Sequence, residues 1–151
     1  MEYIEKSNQV DGCIFCLAQN MQDGNENLIA FRGERAYVIL NRYPYTSGHL
    51  MVVPFVHKPN LEELDRDTRA EMMELTTRCT TVLRKIYHPQ AFNVGANIGE
   101  AAGAGVKSHV HIHVVPRWAG DTNFMAVVGE TRVLPEALET TFLRVKNGFE
   151  E

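Results

Sequence analysis

Histidine occupies every second position from 109 to 113 in the stretch SHVHIHVVPRW. Side chains at alternate positions of a β-strand lie on the same face of the sheet, so this alternation predicts a strand over residues 109–115. One face of that strand would carry His109, His111 and His113, and the other would carry Val110, Ile112 and Val114. At about 3.3 Å per residue the three imidazoles would lie within about 13 Å, which favours a functional site over a core.

Three further apolar segments predict four more strands. LIAFRGERAYVILN (residues 28–41) is interpreted as two short strands around a turn at Gly33. GHLMVVP (residues 48–54) and AFNVGANI (residues 91–98) each predict one strand. Together with the histidine strand they predict an antiparallel sheet of five strands.

After residue 60, apolar residues recur at spacings of three and four, which predicts one long helix with a single buried face. This buried face comprises Leu61, Leu64, Met72, Leu75, Cys79, Val82, Leu83 and Ile86. Asn60 is the predicted N-cap, with Glu63 as its capping-box partner. A last helix is predicted over residues 134–146. The predicted fold class is α+β, with a five-stranded antiparallel sheet, one long helix and a C-terminal helix.

Composition limits the classes of partner and compartment. A chain of 151 residues predicts one domain, and its formal net charge of −4 argues against a nucleic-acid partner. No apolar run approaches the roughly 18 residues of a membrane span, and the start MEYIEKSNQV lacks the apolar core of a signal peptide. We therefore expect a cytoplasmic protein with no membrane partner. Three cysteines do not predict a disulfide framework.

The histidine row allows three interpretations. A solvent-facing strand also alternates polar residues, although it would accept Thr, Lys or Glu as readily as three histidines. Two of the imidazoles could ligate a zinc ion that activates water. One imidazole could instead act as the nucleophile while its neighbours orient it. The spacing does not separate the second interpretation from the third.

The loop before the histidines is rich in small residues, with Gly99, Gly103 and Gly105 among several alanines. Small residues let an anion approach backbone N–H groups, so such loops bind phosphates, although many are plain connections. A phosphate bound there would lie beside an imidazole. The combination predicts phosphoryl or nucleotidyl transfer.

HVHIHVV at residues 109–115 matches the signature of the histidine triad (HIT) family at every position, and the chain resembles that family from about Gly12 to Arg117. LNRYPYTSGHLMVVP and FNVGANIGEAAGAG resemble two further family segments. PRWAGDTNF, residues 116–124, is most similar to the diadenosine tetraphosphate phosphorylase (ATP adenylyltransferase) branch. The resemblance implies a single HIT domain over residues 1–151, with its core over about 12–117 and a C-terminal extension over 118–151. It also implies a half-barrel that pairs as a homodimer.

The resemblance implies catalytic roles for four histidines: His109, His111, His113 and His49. His111 would attack the α-phosphorus of a bound nucleotide through Nε2, while its Nδ1–H donates to the carbonyl of His109. His113 would contact phosphate oxygens or the leaving oxygen, and His49 would lie beside the same phosphate. Water or another acceptor would then release the nucleotide.

The same resemblance implies a substrate site. Asn41 would bind the ribose hydroxyls and Asn97 would lie near the phosphates. Phe15, Ile39 and Leu40 are candidates for an apolar base pocket, although each would serve equally well in a core. The remaining candidates are the phosphate-loop residues Gly103, Gly105 and Lys107, together with Trp118, which would border the nucleotide or pack in an interface. Glu100 departs from the pattern of the phosphorylase branch, which often has a basic residue at this position. A carboxylate there would weaken anion binding.

Cys13 and Cys16 form a C-x-x-C pair. Such a pair is typical of half a zinc site or of a redox pair, and it also arises by chance. Resemblance to bacterial HIT proteins implies that His57 and His109 complete a closed, structural zinc site. We expect no organic cofactor. Cys79 lies on the apolar face of the long helix and is predicted to be a buried thiol.

The predicted function is that of a nucleotidyl hydrolase or transferase which cleaves a dinucleoside polyphosphate, or another purine nucleotide, at the α-phosphate through nucleotidyl-His111. Phosphorolysis and hydrolysis of diadenosine tetraphosphate both fit this prediction. The alternatives are hydrolysis of nucleoside phosphoramidates, a nucleotide-binding interaction protein with incidental turnover, and a metal-dependent hydrolase that uses the three histidines as ligands.

Overall fold

The computed structural model describes residues 12–121 and 136–151. Within these ranges five antiparallel strands form one sheet in the order β1-β2-β3-β5-β4. The strands are β1 Ile29–Arg32, β2 Ala36–Leu40, β3 Leu50–Pro54, β4 Ala91–Gly95 and β5 Ile112–Arg117. The helices are α1 Ile14–Gln19, α2 Arg66–Tyr87 and α3 Leu138–Glu150. The predicted α+β fold, with one long helix and a C-terminal helix, is confirmed.

The two central strands carry the core. Every residue of β2 and β3 is buried, and the two strands pair with Tyr37 opposite Val53 and Ile39 opposite Met51. Such continuous apolar runs are typical of strands that are covered on both faces. α2 packs against β2, β3 and β5 through the predicted face, on which Met72, Leu75, Cys79, Val82 and Leu83 are buried.

The predicted N-cap of the long helix is wrong. Asn60 precedes a separate 3₁₀ turn, Leu61–Glu63, and its side chain donates to Glu63 over 2.9 Å. Leu64 then takes an extended conformation, with ψ 148°, which breaks any continuous helix from residue 60. Asp65 is the N-cap instead, because its carboxylate accepts the N–H of Thr68 at 2.7 Å.

The histidine strand is shorter than predicted. β5 begins at Ile112, so His109, Val110 and His111 precede the ladder. Continuing the β3–β5 register would place Pro54 opposite this segment, and proline has no N–H to donate. The Pro54 carbonyl accepts from the His109 ring instead, at 2.7 Å, and Val110 N–H donates to the carbonyl of Lys58 at 2.8 Å.

One helix was not predicted and another begins later than predicted. α1, Ile14–Gln19, includes most of CIFC, for which the sequence predicted no helix. α3 begins four residues later than predicted, because Ala137 is extended, and continues to Glu150. Its end is held against β1 by Phe149, which stacks on Phe31 with ring centroids 5.3 Å apart. No described helix is long and apolar enough to cross a membrane.

Candidate active site

A cavity of about 620 Å³ lies between α1, the β2–β3 hairpin and the glycine-rich loop. This volume is in the range of small-molecule sites. Its wall includes His111 together with most of the predicted substrate-binding residues, namely Phe15, Leu40, Asn41, Asn97, Gly103, Gly105 and His113. Ile39 also lines it. At Gly103, with φ +87°, a Cβ would meet nothing within 4 Å, so the loop backbone is open to a ligand.

His111 is held in one tautomer by the backbone. Its Nδ1 lies 2.9 Å from the carbonyl oxygen of His109, which can only accept, so Nδ1 carries the proton. Nε2 therefore keeps its lone pair. Burial lowers the pKa of His111, which favours the neutral ring. A buried, neutral imidazole with a free lone pair at a cavity wall is a competent nucleophile.

His49 and His113 form a second oriented pair. The backbone N–H of Tyr45 donates to His49 Nδ1 at 3.2 Å, so the proton of His49 is on Nε2. That Nε2–H donates to His113 Nδ1 at 2.9 Å, which leaves the proton of His113 on Nε2. Burial, with a smaller contribution from His111, lowers the pKa of His113 to about 4. His113 is thus neutral and carries one N–H besides the bond to His49.

The described residues include one compact group of metal-ligating side chains: Cys13, Cys16, His57 and His109. The His109 Nδ1 atom lies 3.3 Å from Cys13 Sγ, 3.7 Å from Cys16 Sγ and 3.2 Å from His57 Nδ1. Tetrahedral zinc with two sulfur and two nitrogen ligands requires separations of about 3.3–3.8 Å. The three separations from His109 are close to this range, and all four ligand atoms lie within 4.8 Å of one another. Cys13 is the N-cap of α1, Cys16 lies within that helix, and His57 follows β3.

His109 connects the cysteine group to His111. Its Nε2–H donates to the Pro54 carbonyl at 2.7 Å, which leaves Nδ1 as an electron-pair donor towards the two thiols. Burial lowers the pKa of His109 to about 4, so the ring is neutral, as a metal ligand must be. Burial also raises the pKa of the Cys16 thiol to about 11, an effect that a bound cation would reverse. The backbone carbonyl of His109 orients His111.

The HIT domain family model matches residues 23–120. The chain belongs to the HIT family. It is 44% identical over 116 residues to an AP-4-A phosphorylase from Mycobacterium tuberculosis. That alignment covers 77% of this chain and 60% of the relative, so the chain spans less than two thirds of that protein's length.

The chain is also similar to a second enzyme by sequence and to a zinc-containing protein by structure. A bis(5'-nucleosyl)-tetraphosphatase (asymmetrical) from Schizosaccharomyces pombe is 28% identical over 93 residues, covering 62% of this chain and 50% of that protein. The crystal structure of a Zn-bound histidine triad family protein from Mycobacterium smegmatis superposes with a TM-score of 0.73. It is 27% identical, and the match covers 91% of this chain and 93% of the other.

Some predicted site residues of this HIT protein lie away from the cavity. Lys107 is exposed and pairs with Glu100 at 3.2 Å, and neither side chain is part of the cavity wall. Trp118 is also absent from that wall. It follows Arg117, which pairs with Asp121 beyond the end of β5. Glu100, whose carboxylate departs from the family pattern, is therefore the exposed partner of Lys107 and does not face the cavity.

Sequence analysis missed two aromatic residues at the cavity. Tyr43 and Tyr45 line it, on either side of Pro44, and Tyr45 packs on His49 with ring centroids 4.5 Å apart. Asn41 has two roles, because it lines the cavity while its Oδ1 accepts the N–H of Tyr43 at 2.9 Å. The occurrence of two tyrosines in an otherwise polar turn was the feature of the sequence that could have indicated a binding surface there.

Proposed function

We propose that this HIT protein is a nucleotidyl hydrolase or transferase that cleaves dinucleoside polyphosphates at the α-phosphate through a covalent nucleotidyl-His111. The observation that carries the proposal is the hydrogen bond from His111 Nδ1 to the His109 carbonyl, which keeps the Nε2 lone pair available at the cavity wall. The names of the phosphorylase and tetraphosphatase relatives support the substrate class.

In the first step, the Nε2 lone pair of His111 attacks the α-phosphorus and forms a P–N bond. The bond between that phosphorus and the bridging oxygen breaks, and the oxygen leaves with the rest of the polyphosphate. His113 Nε2–H is the donor for that oxygen, since His49 occupies His113 Nδ1. Oriented donors of this kind stabilise the charge that develops on the leaving group.

In the second step, an acceptor oxygen attacks the same phosphorus, the P–N bond breaks and His111 returns to its neutral form. Inorganic phosphate as acceptor converts diadenosine tetraphosphate to ATP and ADP, whereas water gives ATP and AMP. The 44% identity to an AP-4-A phosphorylase favours phosphate.

The cavity wall accommodates the adenylyl group that would be transferred. Phe15, Ile39 and Leu40 supply an apolar surface for one base. Asn41 is part of the same wall and would bind the ribose. Asn97 and the open backbone around Gly103 would bind the α-phosphate. Lys107 has no part in this proposal because of its position outside the wall.

A product assay tests the proposal. Purified protein is incubated with diadenosine tetraphosphate, with and without inorganic phosphate, and the nucleotides are separated. ATP and ADP formed only with phosphate identify a phosphorylase, and ATP and AMP formed in both samples identify a hydrolase.

The variant His111→Ala should lower turnover by about 1,000-fold or more. His88→Asn, at the exposed left-handed C-cap of α2, is the matched control and should retain activity. Turnover that survives His111→Ala would overturn the mechanism.

We also propose that Cys13, Cys16, His57 and His109 hold a structural zinc ion. The donor set, the ligand separations and the Zn-bound relative support this assignment. Two thiolates and two imidazoles complete a tetrahedron, so this site offers no open position for substrate. Its contribution to catalysis would be to fix His109, whose carbonyl orients His111.

We further propose that the protein is a homodimer joined through β4. This strand pairs only with β5 in the described sheet, so its other edge is open. Four of its five residues are exposed, including Val94. An open, partly apolar edge strand readily pairs with another copy.

A further inference from the structure

We infer that Tyr43 and Tyr45 form a second base-binding subsite, which stacks the nucleoside of the leaving group of a dinucleoside polyphosphate. This inference rests on the proposed function, because it assigns the half of the substrate that is not transferred to His111. Such a subsite would make the enzyme prefer substrates that have a base at both ends.

A succession of neighbouring rings connects Phe15 to Tyr45 through His111 and His113. The Phe15 ring lies 4.8 Å from the His111 ring, and the His111 ring lies 4.8 Å from that of His113. Beyond His113, Tyr45 lies at 6.4 Å with its ring nearly parallel, at 22°. If one base packs by Phe15, a phosphate at His111 directs the leaving group past His113 towards Tyr45.

The tyrosine rings are unusually exposed for aromatic residues at a cavity. Tyr43 is 81% exposed and Tyr45 is 52% exposed, yet both line the cavity wall. Exposed aromatic rings beside a phosphate path are the usual surface on which nucleic-acid bases stack, and such stacking tolerates any base. A nucleoside is the ligand whose chemistry fits this surface.

The turn that carries the tyrosines is fixed before substrate binds. Asn41 Oδ1 accepts the N–H of Tyr43, Pro44 restricts the backbone between the two rings, and the N–H of Tyr45 donates to His49. A preorganised surface loses little conformational entropy on binding, which strengthens a stacking contact. The same turn therefore connects the proposed ribose residue, the second subsite and the His49–His113 pair.

The charge of the cavity wall also favours stacking as a source of affinity. Among the described wall residues, Arg42 is the one lysine or arginine, and Glu26 offsets its charge. The Arg42 guanidinium already donates to the Glu26 carbonyl at 2.6 Å. Because little positive side-chain charge faces the polyphosphate, contacts to the bases at its two ends would add to the binding that Asn97 and the loop backbone supply.

The test compares diadenosine tetraphosphate with adenosine 5′-tetraphosphate, which has the same phosphate chain and lacks the second nucleoside. We expect kcat/KM to be about ten-fold higher for the dinucleotide, as one stacked base contributes at this level. Tyr43→Ala should remove most of that ratio, chiefly through KM, and Tyr43→Phe should restore it. Tyr45→Ala should act in the same direction.

Leu143→Ala is the matched control. Leu143 is 54% exposed on α3 and is not part of the cavity wall, so its truncation should leave the ratio unchanged. A parent protein that turns over both substrates through His111 with equal kcat/KM, or a ratio that Tyr43→Ala does not alter, overturns the subsite alone. No turnover of either substrate overturns the proposed function and the subsite with it.

Discussion

Backbone groups set the tautomers of three of the four histidines around the candidate site. Carbonyl oxygens of Pro54 and His109 fix the protons on His109 and His111, and the N–H of Tyr45 fixes that of His49. His113 then takes its tautomer from His49. Since the backbone does not titrate, the arrangement is stable across the pH range in which the rings are neutral.

At the residue scale we predict a pH-dependent stability. The pKa of His113 is about 4 in the folded protein and about 6.5 when unfolded, so the unfolded state binds more protons between these values. The contribution of His113 to stability is therefore complete above pH about 6.5, declines as pH falls from 6.5 to 4, and is lost below that. Denaturant unfolding at several pH values measures this slope. With saturating zinc present throughout, the His113→Asn variant should show a shallower slope than the parent, and equal slopes would contradict the prediction.

Short elements bring the proposed metal ligands together from three parts of the chain. The N-cap and first turn of α1 present Cys13 and Cys16, the segment after β3 presents His57, and the segment before β5 presents His109. These connections cross-link the start of the described chain to the sheet beside the cavity. Metal binding at this position should therefore stabilise the fold as well as the site.

At the element scale we predict that chelation lowers the melting temperature by about 10 °C. A ligand present at a thousand times its Kd stabilises by about 4 kcal/mol, and each kcal/mol corresponds to roughly 2–4 °C in a domain of this size. Thermal unfolding with and without a strong chelator measures the shift, and elemental analysis should find one zinc per chain.

Two cysteine variants control that experiment. Cys16→Ser should lose both the zinc and the response to the chelator. Cys79→Ala removes a buried thiol from α2, outside the proposed site, and should keep both despite a lower starting stability. A chelator shift that persists in Cys16→Ser would place the metal elsewhere.

The whole molecule presents one open sheet edge on each side of the described sheet, at β1 and β4. α3 packs against β1 near its edge, with Arg78 lying over both Phe31 and Phe149. β4 is the more exposed strand of the two. The difference explains why β4 is the edge that we propose for pairing.

At this scale we predict a homodimer of about twice 17.1 kDa in size-exclusion chromatography with light scattering. Val94→Lys places a charge on the exposed face of β4 and should shift the protein to a monomer, because a lysine there disfavours edge pairing. Met73→Lys, at another exposed apolar residue, on α2, tests whether that helix shares the interface. A parent protein that runs as a monomer at all concentrations would refute the proposal.

Periodicity made the sheet, the long helix and its buried face predictable, since alternation and spacings of three and four report which side chains face a core. The family motifs were equally local: HVHIHVV and the glycine-rich loop pointed to the same cavity wall at which the structure places His111, His113, Gly103 and Gly105. The C-x-x-C pair, by contrast, needed the resemblance to find its two histidine partners.

The sequence by itself indicated the residues that we propose for the chemistry and how the strands alternate, because both predictions depend on neighbours along the chain. Tertiary structure decided where the histidine row divides. His109 joins the cysteines while His111 and His113 face the cavity, because Pro54 cannot extend the ladder and its carbonyl accepts the His109 ring instead. It also decided the cap at Asp65, the pairing of Lys107 with Glu100 and the exposure of Tyr43. Each of these depends on contacts between segments, which no local pattern records.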